Sequence, residues 1–164
     1  MKPLTPADIR ASFVNATRGE AERVPMPGLH DVIWADREYL GWRDQQAHQR
    51  AYLVHWVDER PVGILLRSSE FSLQPGIAAM CSLCRITRRS DEISLFSAPR
   101  SGQAGRDGNT IGTYLCDDLA CSHLIRILPP AHPMQPSPDQ VLATRTAGLI
   151  SRMQAFTASV MNSA

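Results

Sequence analysis

Lysine is almost missing from this chain: of its seventeen basic residues, one is Lys2 and the rest are arginines. So lopsided a ratio runs through helices and loops alike and reads as a compositional bias, which weakens the arginine count as evidence for a binding role. Strong charge of either sign is also missing. Sixteen acids leave a net charge of +1, which excludes a surface that holds nucleic acid or anionic membrane by field strength alone. No apolar run approaches the length of a membrane span, and the opening MKPLTPADIR has no apolar core of the export-signal kind. The expectation is a cytoplasmic, membrane-free protein. At 164 residues and 18.1 kDa the chain can bury one real core, but not two large ones. The glycine-rich stretch 100–112, RSGQAGRDGNTIG, lacks the G-K-[ST] of a phosphate-binding loop and the G-x-G-x-x-G of a dinucleotide site. The histidine and glutamate that precede P-C-x-x-C in zinc deaminases are absent as well.

What is present is a set of four cysteines, Cys81, Cys84, Cys116 and Cys121, spaced C-x2-C, then 31 residues, then C-x4-C. Two thiolates in a tight turn can grip one side of a tetrahedral ion while a second pair beside a helix start closes the other. Residues 77–80 read as a strand into Cys81, and 110–115 as a strand that delivers Cys116 to a helix starting near Asp118. Strand, knuckle, hairpin, strand and helix make a treble clef. Disulfides would need an oxidising compartment, and a thioredoxin-like pair would leave the second C-x4-C idle. The reading is one structural zinc; iron in a rubredoxin-like cage uses the same ligands. Four thiolates fill a tetrahedral zinc and leave no position for an activated water, so the site scaffolds rather than catalyses. An enzymatic reading would need His123 to replace a cysteine; the plainer reading puts it on an exposed helix face.

In chain order, Thr5, Pro6 and Asp8 announce a first helix with Leu4 and Ile9 as a hydrophobic staple. Residues 16–26 read as irregular crossing chain. A short helical segment is expected over 31–40, with Trp34 and Trp42 as core anchors and a turn into a polar loop after Gly41. Residues 51–57 and 62–67 read as a hairpin with a charged turn, with His55 on a strand face. A loop over 68–76 leads to the knuckle, and 92–98 reads as a strand. The glycine-rich stretch reads equally as a projecting hairpin presenting Arg100, Arg106 and Asn109 or as a merely flexible loop. The zinc helix is expected over 118–128, burying Leu119, Leu124, Ile127 and Leu128. The expected fold class is α+β: one treble-clef zinc-binding domain with antiparallel hairpins, an N-terminal helix and a long C-terminal helix.

The domain reading is 1–128 for the zinc domain and 129–137 for a semi-rigid spacer, in a stretch with five prolines in ten residues. Residues 138–164 follow as an amphipathic helix. Ser137, Pro138 and Gln140 repeat the cap signature of the first helix. Leu142, Thr146, Leu149, Met153, Phe156 and Val160 form its apolar stripe. It packs at home or on a partner.

Several stretches together resemble a known family: IRASFVNATRGEAERV, YLGWRD, VGILLR, AMCSLC and GRDGNTIGTYLCDDLAC. They are similar to the elongation-factor-G-binding proteins, the FBP or FusB-like family with a C-terminal treble-clef zinc finger. The resemblance implies a zinc protein that binds elongation factor G, the ribosomal translocase, and in fusidic-acid-resistance members helps free it from the ribosome, with no reaction catalysed by the protein and no small-molecule substrate. It also implies Cys81, Cys84, Cys116 and Cys121 as zinc ligands. The candidate partner-facing residues are Arg85, Arg88, Arg89, Arg100, Arg106 and Asn109. Resistance-type members carry a helical domain ahead of the zinc domain, whereas this chain begins almost at the zinc domain, so binding is expected more firmly than drug rescue. The rival class is an RNA-binding zinc ribbon that touches rRNA or tRNA through the basic face near Arg85.

Overall fold

The computed structural model describes residues 1–70, 73–74, 76–130, 132–134 and 136–162. Parts of the expected loop 68–76, the spacer 129–137 and the end of the last helix therefore lie outside the described residues.

Helix α1 (Pro6–Ser12) starts where expected, with Thr5 and Asp8 forming a reciprocal capping box. Leu4 and Ile9 are both buried. The chain that follows was expected to be irregular, but it contains α2 (Arg18–Glu22), closed by a second capping box between Thr17 and Glu20. The signal T-x-x-E was present; Gly19 and the nearby prolines hid it. The short helix expected over 31–40 is two single 3-10 turns, Leu29–Asp31 and Trp34–Asp36. After them Leu40–Arg43 is not a turn but an edge strand, β1.

β2 (Arg50–Val57) and β3 (Arg60–Ser68) pair antiparallel across a two-residue turn, Asp58-Glu59, both at positive φ of 45° and 66°. That mirror-image turn matches the right-handed twist of the flanking strands. The knuckle strands β4 (Ala78–Met80) and β5 (Thr87–Arg89) form a separate two-stranded sheet. β6 (Ile93–Pro99), the short helix α3 (Gly102–Arg106) and β7 (Thr110–Cys116) follow, then α4 (Cys121–Leu124) and α5 (Pro138–Met161). The large sheet runs β1-β2-β3-β6-β7 with every pairing antiparallel.

Period-two alternation divides this sheet into two buried faces. Tyr52, Val54 and Leu65 face the N-terminal layer, joining Leu4, Ile9, Val24 and Trp42. Ala51, Leu53, Ile64, Leu66 and Phe96 face the other way, into a core shared with the four cysteines and with Leu149, Met153 and Val160 of α5. The last helix therefore packs on its own domain, and Thr157, outside the expected stripe, is buried beside His55. Around the zinc helix, Ile125 is the fully buried residue while Ile127 is exposed, because the helix is only four residues long and its phase is lost after Leu124.

Candidate metal centre

Each cysteine pair arrives on its own turn. After β4 the chain reverses at Cys81–Cys84, with the Cys81 N–H donating to the Ile86 carbonyl at 3.1 Å and the Arg85 N–H to the Cys81 carbonyl at 3.0 Å. Arg85 takes a left-handed φ of 61°, a conformation costly for a side chain with a Cβ, held here by those bonds. The Ser82 N–H donates to the Tyr114 carbonyl at 2.8 Å, which pins the knuckle to β7. At the other end β7 delivers Cys116. Leu119, at φ 55°, folds the C-x4-C loop back so that α4 opens on Cys121.

All four sulfurs lie within 4.8 Å of one another. Cys81 and Cys121 are 3.6 Å apart at Sγ, Cys84 and Cys116 3.7 Å. A zinc–sulfur bond of about 2.3 Å in a tetrahedron sets sulfurs about 3.8 Å apart, so the cage has the right size. The cysteines are buried and unbridged. Among the described residues this is the only such cluster of metal-ligating side chains. His123 stands outside it on an exposed part of α4.

Electrostatics point to a cation. Hydrogen bonding with Cys116 pulls Cys81 below the ordinary thiol range and pushes Cys121 above it. Left alone, these thiols share protons, because four buried thiolates in contact repel each other. A divalent cation at the centre allows all four to ionise at once.

The surroundings hold groups that sequence reasoning missed. The buried Tyr39 hydroxyl donates to the Leu119 carbonyl at 2.8 Å and so props the C-x4-C loop. Burial, and then the charge of Cys121, raises its pKa well above the ordinary phenol value, so it stays a neutral donor. Arg126 grips Glu38, whose side chain is only 5% exposed, through two nitrogens at 2.9 and 3.1 Å. Arg152 of α5 donates to the Leu83 carbonyl inside the knuckle at 2.5 Å. Tyr39 sat within YLGWRD, but nothing in the sequence marked its reach.

The candidate partner residues separate into two kinds. Arg85, Arg89, Arg106 and Asn109 are exposed, although Arg89 is paired with Asp91 and Arg106 bonds Gln103. Arg88 and Arg100 turn to internal duties. Arg88 has a side chain 15% exposed and bonds Glu92 and Asp118. Burial works against its charge, yet hydrogen bonds to the Cys116 sulfur, Glu92 and Asp118 hold its pKa above the ordinary value. Arg100 donates to the Ser159 and Asn162 carbonyls at 2.8 and 2.6 Å, capping the last turn of α5. The glycine-rich stretch is the connection of the β6–β7 hairpin, as expected, closed where the Arg100 N–H donates to the Asn109 carbonyl at 2.9 Å; α3 fills it, and of the three residues expected there Arg106 and Asn109 are exposed while Arg100 turns back to α5.

The family model of the FBP C-terminal treble-clef zinc-finger matches residues 8–160, from α1 to the last turn of α5. The chain belongs to this family. The matched region thus takes in the long terminal helix, which packs on the core that holds the cysteines. No curated protein matches. A solved structure of the fusidic acid resistance protein FusC is similar at 21% identity, with a TM-score of 0.49, over 63% of this chain and 46% of that one. The match spans less than half of that protein. No helix among the described residues is long and apolar enough to cross a membrane.

Proposed function

We propose that the chain is a zinc-stabilised binding protein for elongation factor G, with Cys81, Cys84, Cys116 and Cys121 holding one structural zinc and no reaction catalysed by the chain itself. The observation that carries this reading is the closed set of four buried thiols, sized for a tetrahedral ion, in a chain of the FBP family. Such a cage keeps no position for substrate or activated water, so the metal fixes shape and the surface does the work. By the same family reading the protein acts in the cytoplasm, and promotion of the factor's release from the ribosome is the finer form of the proposal.

Arg85, exposed at the tip of the knuckle, heads the partner-facing surface, together with the exposed apolar side chains of Met80 and Tyr114 on the strands beside it. Arg89 and Arg106 extend it, whereas Arg88 and Arg100 are committed within the fold. The test is a calorimetric titration of zinc-loaded protein against purified elongation factor G at physiological salt. Saturable one-to-one binding that weakens tenfold or more in an Arg85→Glu, Met80→Ala variant is the expected result. No heat and no pull-down would overturn the reading, and binding to RNA that falls steeply with salt would put the ribbon class in its place.

A further inference from the structure

Arg88 stands between the two halves of the metal cage. It leaves β5, the return strand of the knuckle that carries Cys81 and Cys84. From there Nη1 reaches both carboxylate oxygens of Asp118 at 3.1 and 3.2 Å. Asp118 belongs to the loop between Cys116 and Cys121, and its Oδ1 also accepts the Ala120 N–H at 3.0 Å. Nη2 bonds Glu92 at 2.6 Å, and the Glu92 carbonyl accepts the Asp117 N–H at 2.9 Å. One guanidinium therefore ties the first cysteine pair to the loop that presents the second.

Among the described residues the other arginines beside the cage make different joins: Arg126 and Arg145 reach backbone carbonyls of α4 and of the chain just after it, Arg152 the Leu83 carbonyl, and Arg43 reaches Asp117 from β1. Burial adds to the case, since an arginine with a side chain 15% exposed has left most of its water behind. Two carboxylates are what it gains in exchange.

We infer that Arg88 is a positioning residue of the metal centre, whose fork to Asp118 and Glu92 locks the two cysteine pairs into one geometry. The inference rests on the zinc reading above. Lysine at this place would keep the charge but lose the fork that serves Asp118 and Glu92 together.

The experiment uses the full chain. Zinc content and affinity are measured for wild type, Arg88→Gln, Arg88→Lys and Asp118→Asn by competition with a chromogenic chelator, and the cobalt-substituted forms are compared by their thiolate-to-metal charge-transfer bands. A wild type that binds no metal would bring down the zinc reading itself, whatever the variants do. With a metal-binding wild type, Arg88→Gln should lose about 10- to 100-fold in zinc affinity. Its cobalt charge-transfer band should weaken, since a cysteine pair held out of place bonds the metal less fully. Arg88→Lys should recover only part of the affinity, because one ammonium cannot serve both carboxylates. Asp118→Asn should lose affinity in the same way, and the double variant should be no worse than Arg88→Gln alone. Unchanged affinity in Arg88→Gln, or additive losses in the double variant, would overturn the inference. If Arg88→Gln does not fold, Asp118→Asn decides: reduced affinity upholds the join, and unchanged affinity refutes it.

Discussion

Asn15 completes the backbone of Leu65 with its own side chain: Oδ1 accepts the Leu65 N–H at 2.8 Å and Nδ2 donates to the Leu65 carbonyl at 3.0 Å. The same Nδ2 reaches the Pro99 carbonyl at 2.9 Å. β3 and β6 pair only at Arg67–Ser97 and Ser68–Phe96, so the sheet opens between Leu65 and Pro99, and the carboxamide spans the gap as a strand would. Asn15→Ala would leave a partly buried N–H and two carbonyls without partners, at a cost of about 3 kcal/mol. Asn15→Asp should cost at least as much, since it would aim a carboxylate at two carbonyl oxygens. Urea unfolding at neutral pH checks both, and a loss below about 0.5 kcal/mol would show that water replaces the bridge.

Two glycines of the loop before β7 serve different ends, and alanine should tell them apart. A Cβ on Gly105 would sit 1.8 Å from the Arg100 carbonyl oxygen, which is backbone and cannot yield without moving the base of the loop. Gly108 has open space around it but holds φ at 89°. Gly105→Ala should therefore cost about 2 kcal/mol or more through backbone displacement, and Gly108→Ala about 1 kcal/mol of conformational strain. Paired thermal melts decide this; equal losses would mean that the close approach of Gly105 relaxes freely.

Where neighbours in sequence make the structure, the sequence could be read. The caps of α1 and α5, the alternation of β2 and β3 and the cysteine spacing are all settled within a few residues, and each lies where expected. What was missed depends on distant partners. YLGWRD looks like a turn because Gly41 and Asp44 favour one, yet β1 forms there by pairing with β2, and a Cβ on Gly41 would come within 2.7 Å of the Tyr39 ring and 2.9 Å of Leu119. Arg88 and Arg100 look like surface charge in a list of arginines, and only the folded chain shows which carbonyls and carboxylates claim them. No local pattern tells a buried guanidinium from a solvated one.

His55 makes the fold sensitive to mild acid. The residue is 3% exposed and Nε2 lies 2.7 Å from the Thr157 hydroxyl of α5. Burial lowers its pKa from 6.5 to about 4. Between those values the unfolded chain takes up a proton that the folded chain refuses, so stability falls as pH falls through the window and is whole above it. The contribution is about 3 kcal/mol over the full window, and about 1.4 kcal/mol between about pH 7.5 and about 5.5. His55→Gln keeps a hydrogen-bonding group towards Thr157 and cannot titrate. Its stability should therefore decline less than that of wild type over that interval. Parallel slopes in urea titrations at the two pH values would place the acid sensitivity elsewhere.

Metal removal should reach farther than the knuckle. The cysteines share one core with Leu149, Met153 and Val160, and Arg152 holds the Leu83 carbonyl between the first two ligands at 2.5 Å. Zinc in such a cage contributes on the order of 10 kcal/mol of apparent binding free energy that exists only when the site is formed. That rivals the whole stability of a domain this size. A strong chelator, or Cys116→Ser, should accordingly collapse α5 protection along with the knuckle. Hydrogen exchange would show it, as amides of residues 145–160 lose protection together with those of 81–84. The hairpin of β2 and β3, which has its own face against α1, should lose protection more slowly. If α5 kept its protection in the metal-free protein, the helix would be held by the sheet alone. Arg152 would then be a passenger on the knuckle rather than its brace.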